Sequence, residues 1–138
     1  MIEGAHCLDL FAGTGALGLE AASRGAASVT LVESDYQLAN QLAENINTLE
    51  ASEVKLERAS ALSWLQRCTK KFDLVFLDPP FEQGLVEQSC DLLREKDCLN
   101  KKALIYVEAE RSLQLPSSLK IIKEGNAGHV RYMLAELL

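Results

Sequence analysis

Short apolar runs and helical patterns alternate almost from one end of this chain to the other, and that alternation limits the fold more than any other feature. Ala5–Phe11 reads as a strand, and Ala16–Arg24 follows with helical spacing until Gly25 stops it. Ser28–Glu33 is a second strand, rich in β-branched residues. Asp35 caps a predicted helix over Tyr36–Leu49, with Leu38, Leu42, Ile46 and Leu49 on one stripe. The pattern predicts a third strand over Glu53–Arg58. Ser60 then caps a short helix, Ala61–Cys68, in which Trp64 reads as a core residue beside Leu62 and Leu65. Phe72–Leu77 is a fourth strand, Leu85–Glu95 a helix and Ala103–Glu108 a fifth strand. Leu119–Lys123 and His129–Ala135 flank Gly125-Asn126-Ala127-Gly128 and read as a closing hairpin. Strands separated by helices imply a Rossmann-like α/β fold, a mostly parallel sheet covered on both faces, with the hairpin as an antiparallel edge. With no repeat and no linker composition, residues 1–138 are expected to form one domain.

Two stretches carry chemistry. The first is DLFAGTGALGLE, residues 9–20, between the first strand and the first helix. Gly13, Gly15 and Gly18 match G-x-G-x-x-G, and Glu33 stands 20 positions past Gly13 at the end of the second strand. Glycine lets the backbone turn tightly and approach a ligand closely, and a carboxylate at that strand end accepts from ribose hydroxyls. The pattern therefore points to an adenosine-containing cofactor. A dinucleotide site and an S-adenosylmethionine site share this geometry. Asp9 favours the second, because a carboxylate there attracts the ammonium of methionine and repels a pyrophosphate.

The second stretch is Asp78-Pro79-Pro80-Phe81. Proline cannot continue a buried strand, so the fourth strand ends at Asp78 in a stiff turn. Asp78 then faces the crevice opened by the glycine loop. An exocyclic amine on a base is a poor nucleophile, because its lone pair is delocalised into the ring. Acceptors for its N–H groups draw it toward a tetrahedral geometry. Asp78 supplies one acceptor and the Pro79 carbonyl another, with Pro80 stiffening the turn and Phe81 offering a face on which a flipped base stacks. Glu108, at the end of the fifth strand, is a further candidate for touching substrate. Gln83-Gly84 could flex as a lid.

The net charge of −6 argues against this chain alone gripping nucleic acid, since Lys70-Lys71 and Lys101-Lys102 are only short basic groups. Cys7, Cys68, Cys90 and Cys98 lack zinc spacing and read as reduced packing residues. His6 and His129 have no paired ligand, so no metal is expected. With no signal-like start and no membrane-length apolar run, a cytoplasmic monomer is expected.

CLDLFAGTGALGLEAASRGAASVTLVE, followed by FDLVFLDPPF and ALIYVEAE, resembles the RsmD family, enzymes that methylate the exocyclic amino group of one guanine in small-subunit ribosomal RNA. The resemblance covers essentially the whole chain. It implies a class I methyltransferase fold, S-adenosylmethionine as cofactor and a small-subunit assembly intermediate as partner. By position, Asp9, Gly13, Gly15 and Glu33 would line the cofactor site, with Ser60 and Ala61 near the adenine, and Asp78, Pro79 and Phe81 would hold the guanine; beside these, Phe11 is a candidate for the cofactor and Pro80 and Glu108 for the substrate. Ser60 stands where many such enzymes have a longer Asp or Asn. The family carries a basic N-terminal segment ahead of this core, so a shortened member is expected. Transfer to DNA adenine or a protein glutamine, a nicotinamide oxidoreductase and a non-catalytic binding module remain as other readings of the residues.

Overall fold

A computed structural model describes residues 2–79, 84–110 and 114–138. Seven strands form one sheet: β1 (His6–Asp9), β2 (Ser28–Val32), β3 (Val54–Glu57), β4 (Phe72–Leu77), β5 (Leu99–Glu110), β6 (Leu119–Ala127) and β7 (Val130–Leu137). Their spatial order is β3-β2-β1-β4-β5-β7-β6. The first five run parallel, and β7 enters antiparallel between β5 and β6. The chain reverses direction across the sheet after β3, so β1 and β4 are neighbours at the switch point, where α/β sheets open a crevice at their carboxyl ends.

Among the described residues four helices complete the layers: α1 (Ala16–Ser23), α2 (Tyr36–Thr48), α3 (Ala61–Gln66) and α4 (Leu85–Glu95). Alternation along each strand divides the core in two. Leu8, Val75, Leu77, Ile105 and Val107 face α3 and α4, while Cys7, Val29, Leu31, Leu74 and Phe76 face α1 and α2. Trp64 is half-buried and leans on Phe72, with ring centroids 6.1 Å apart. The four cysteines are free, and all but Cys68 are buried. Among the described residues no helix is long and apolar enough to cross a membrane.

The differences from the sequence reading have physical causes. β5 begins at Leu99, four residues before the apolar run. The polar Asn100-Lys101-Lys102 extends alongside β4 through a register shift, with Lys102 at φ 68°. The expected loop at Gly125–Ala127 is instead β6 strand, and only Gly128-His129 turns. Gly125 pairs with Tyr132, whose ring lies where a Cβ on Gly125 would stand, so the glycine serves as the bed for an aromatic ring. Leu38 and Leu49, placed on the buried stripe of α2, are exposed at its two ends, whereas Ala39 and Leu42 face the sheet.

Gly18 fixes how closely α1 lies on the sheet. A Cβ there would overlap Leu31 Cδ2 and come within 3.2 Å of Val29 Cγ1, both fully packed side chains of β2. Replacing a helical glycine gains at most about 1 kcal/mol of propensity, while overpacking a closed core costs about 1–3 kcal/mol. Gly18→Val, which adds β-branching to the overlap, is expected to destabilise the chain by about 2 kcal/mol, read as a fall of several degrees in thermal midpoint. An unchanged midpoint would mean that α1 does not need this close approach.

Candidate active site

The carboxyl ends of β1, β2 and β4 open onto a cleft of about 610 Å³, a size typical of small-molecule sites. Its floor is the loop after β1. That loop is stitched to both neighbours: Leu10 N–H donates to Phe76 O at 3.3 Å, and Ala12 N–H donates to Val32 O at 3.0 Å. Gly13, in the left-handed region at φ 56°, donates its N–H to Glu33 Oε1 at 2.7 Å. The other Glu33 oxygen accepts from Asp35 N–H at 2.8 Å. Glu33 therefore holds the loop to the start of α2 in the free protein. Each of its oxygens keeps a lone pair for a hydroxyl group.

Asp9, Phe11, Gly13, Glu33, Ser60, Ala61 and Asp78 all border this cleft. Gly15 does not. It caps α1 at φ 83°, and a Cβ on it would overlap Leu42 Cδ2, so it lies behind the cleft wall where α1 meets α2. Ser60 is the N-cap of α3, accepting from Ser63 N–H at 3.3 Å, and it lines the cleft from that position. Leu38 and Leu62 add apolar wall on either side of the Ser60-Ala61 rim. The sequence marks both as packing residues and neither as part of a site. The exposure of Leu38 at the head of α2 is a tertiary fact that its helical spacing conceals. Pro79 is half-buried beside Asp78, whereas Pro80, Phe81 and Gln83 lie outside the described residues. Glu108 stands one strand beyond the cleft, where its charge acts on Asp78.

Asp9 is only 1% exposed, and its Oδ1 has no hydrogen-bond partner among the described residues. Burial pushes its carboxyl up to about 7. Backbone N–H groups of Gly18 and Phe11 pull the other way, and the charges of Asp78 and Glu33 raise it further. Asp78, exposed as a residue, has its carboxyl pushed up to about 6 by partial burial of the side chain and then by Glu108. Four carboxylates, Asp9, Glu33, Asp35 and Asp78, line the cleft, and none of its described lining residues is Lys or Arg. A diphosphate would meet repulsion there. A ligand carrying an ammonium and a sulfonium would be attracted, and its ammonium would fill the vacant acceptor on Asp9. The donor set thus fits S-adenosylmethionine and disfavours a dinucleotide.

The similarities agree. A family model described as Conserved hypothetical protein 95 matches residues 1–136. Ribosomal RNA small subunit methyltransferase D of Escherichia coli strain K12 is 43% identical over 137 residues, which cover 97% of this chain and 69% of that protein. The protein of the same name from Haemophilus influenzae is 45% identical over 139 residues, 96% of this chain and 72% of its own length. The chain belongs to the RsmD family. The solved structure of yhhF from Escherichia coli matches with a TM-score of 0.91 at 42% identity, covering 99% of this chain and 77% of that one. The ribosomal protein L11 methylase of Lactobacillus delbrueckii, at 23% identity, shares the fold with a TM-score of 0.79. The fold is that of the class I methyltransferases, and the cofactor is S-adenosyl-L-methionine.

Asp9 leaves a signature in stability. In the folded chain it keeps its proton to about pH 7, whereas an unfolded aspartate releases it near 4. Between those values the folded state binds more protons, so stability falls as pH rises through the window. The gap corresponds to about 4 kcal/mol at full ionisation. Asp9→Asn removes that dependence. It is expected to be more stable than the parent at about pH 8, and less favoured or equal at about pH 4, by urea unfolding in the absence of ligand. A parent chain more stable than Asp9→Asn at the higher pH would contradict a strained carboxyl.

Proposed function

We propose that this chain transfers a methyl group from S-adenosylmethionine to the exocyclic amino group of a guanine in small-subunit ribosomal RNA. One observation carries the reading: Asp78, at the end of β4, borders the same cleft as Asp9 and Glu33. An amine acceptor and the cofactor-binding carboxylates therefore share one space. The names of the Escherichia coli and Haemophilus influenzae relatives support ribosomal RNA as the substrate class. The amino group of guanine is the finer part of the proposal, and it rests on the resemblance and on the chemistry of Asp78.

In this reading Asp9 would hold the ammonium of the cofactor and Glu33 its ribose hydroxyls, with Leu38, Ala61 and Leu62 against the adenine. Bound there, the cofactor supplies an electrophilic methyl on a sulfonium, which needs no activation as a leaving group. Asp78 accepts one hydrogen of the target amine and the Pro79 carbonyl accepts the other. Both bonds strengthen as the nitrogen becomes tetrahedral, which is differential stabilisation of the transition state. The amine grows more acidic as it bonds to carbon, and Asp78, with its carboxyl near 6, is placed to take the released proton. The remaining contribution is alignment of the nitrogen with the methyl group.

Two substitutions separate the roles. Asp78→Ala is expected to lower single-turnover methylation of small-subunit ribosomal RNA at least about 100-fold, with affinity for S-adenosylhomocysteine within about 2-fold of the parent. Glu33→Ala should reverse the pattern, weakening the titration about 10-fold or more. Near-parental turnover by Asp78→Ala would refute the acceptor role. The pH profile adds a second check. Asp78 must be ionised to accept, so the rate should fall about tenfold per pH unit below about pH 6. A rate constant from pH 5 to 8 would exclude its titration.

A further inference from the structure

β4 and β5 run parallel with Leu77 abreast of Val107, so Asp78 and Glu108 follow in step at the same end of the sheet. Alternation puts Glu108 on the face that carries Tyr106, and Asp78, one residue past β4, stands near enough for its charge to act on Tyr106. Glu108 is half-buried and held: the Tyr106 hydroxyl donates to its Oε1 at 2.9 Å. Tyr106 is braced in turn, its ring edge-on to Phe76 with centroids 5.9 Å apart. A carboxylate has about four acceptor positions, and Tyr106 occupies one. A fixed acceptor thus stands beside the residue assigned to the reacting amine, in a place the amine itself does not require.

Guanine presents two neighbouring donors on that edge, the exocyclic amine and N1–H. Adenine and other amino-bearing bases present an amine beside a ring nitrogen with a lone pair. We propose that Glu108, positioned by Tyr106, accepts N1–H of the target and so restricts transfer to guanine. Taken with Asp78, it makes a pair of acceptors complementary to a donor–donor edge. A base with a lone pair at N1 would face the Glu108 carboxylate with an acceptor against an acceptor. The inference rests on the amino-methylation reading above. Asp78 does the chemistry, and Glu108 chooses the base. Glu108 stands near enough to Asp78 for its charge to push the Asp78 carboxyl up.

The test uses 2-aminopurine, which keeps the exocyclic amine of guanine but has a bare ring nitrogen at N1. The substrate is a small-subunit ribosomal RNA fragment in which the nucleotide methylated by the parent chain is either guanine or, by ligation, 2-aminopurine. Single-turnover rates at about pH 8 keep Asp78 ionised in every variant, so charge effects on it do not enter. The parent should prefer guanine by about 100-fold, less than a fully enclosed site would achieve because Glu108 is only half-buried. Glu108→Gln can turn its N–H to the bare nitrogen or its carbonyl to N1–H, and should bring the ratio below about 5 mainly by gaining 2-aminopurine. Tyr106→Phe should lower the ratio about 10-fold while leaving S-adenosylhomocysteine affinity intact, the mark of a positioning residue. Glu108→Ala should lose the preference without gaining the analogue. A Glu108→Gln variant that folds, methylates both bases and keeps the parental ratio would overturn the inference while leaving amino methylation standing. A parent chain that methylates no guanine in small-subunit ribosomal RNA, bare or assembled into particles, would overturn the reading and the inference together.

Discussion

The parallel pairing of β1 with β4 is the constraint on which the site depends. Asp9 stands abreast of Phe76 in that ladder, so the glycine loop and the Asp78 turn leave the sheet side by side. Neither loop is long. Their relative position is set by backbone hydrogen bonds in the middle of the sheet and by the close seating of α1, for which Gly18 clears the space. The carboxylates proposed for cofactor and acceptor are brought together by the central ladder of the sheet, and the proposed specificity residue, Glu108, stands one strand farther out. Sites supported in this way keep their geometry before ligand arrives.

The second theme is charge. Parallel strands converge on one edge with Asp9, Glu33, Asp78 and Glu108, and the folded chain holds at least two of these carboxyls above their ordinary range. Partly buried acids this close together are costly unless protonated or matched by a cation. A cofactor with two positive centres supplies that match. The same arrangement disfavours pyrophosphate, so electrostatics separates two cofactors that the glycine pattern alone leaves indistinguishable. This also gives the buried, half-satisfied Asp9 a reason: its cost in the free chain is returned when a cation docks.

Much of this was legible in the residues. The strand–helix alternation, the ends of β4 and α4 and the switch point between β1 and β4 follow from apolar runs bounded by caps and prolines. That Asp9, Glu33 and Asp78 would share one cleft was legible because motif spacing tracks strand ends, and strand ends share an edge. What escaped was tertiary. Gly15 reads as a ligand contact in the motif, and the structure adds a packing reason for it, since its missing Cβ leaves room for Leu42 against α1. Leu38 fits a buried stripe, yet α2 overhangs the sheet there and turns it toward the cleft. The hydrogen bond from Tyr106 to Glu108 joins residues two apart on one strand, a pattern too common in sequence to stand out. The early start of β5 escaped because Asn100-Lys101-Lys102 lacks the apolar character by which strands are found.

The central claim is that Asp9 receives a cation from the cofactor, and proton linkage tests it most directly. Titration of the chain with S-adenosylhomocysteine at about pH 7, in buffers of different ionisation enthalpy, reports how many protons leave on binding. Asp9 is about half protonated in the free protein at that pH, and an ammonium beside it favours the ionised form. The account predicts release of about half a proton, abolished by Asp9→Asn. Binding without proton release in the parent, or with the same release in Asp9→Asn, would contradict it.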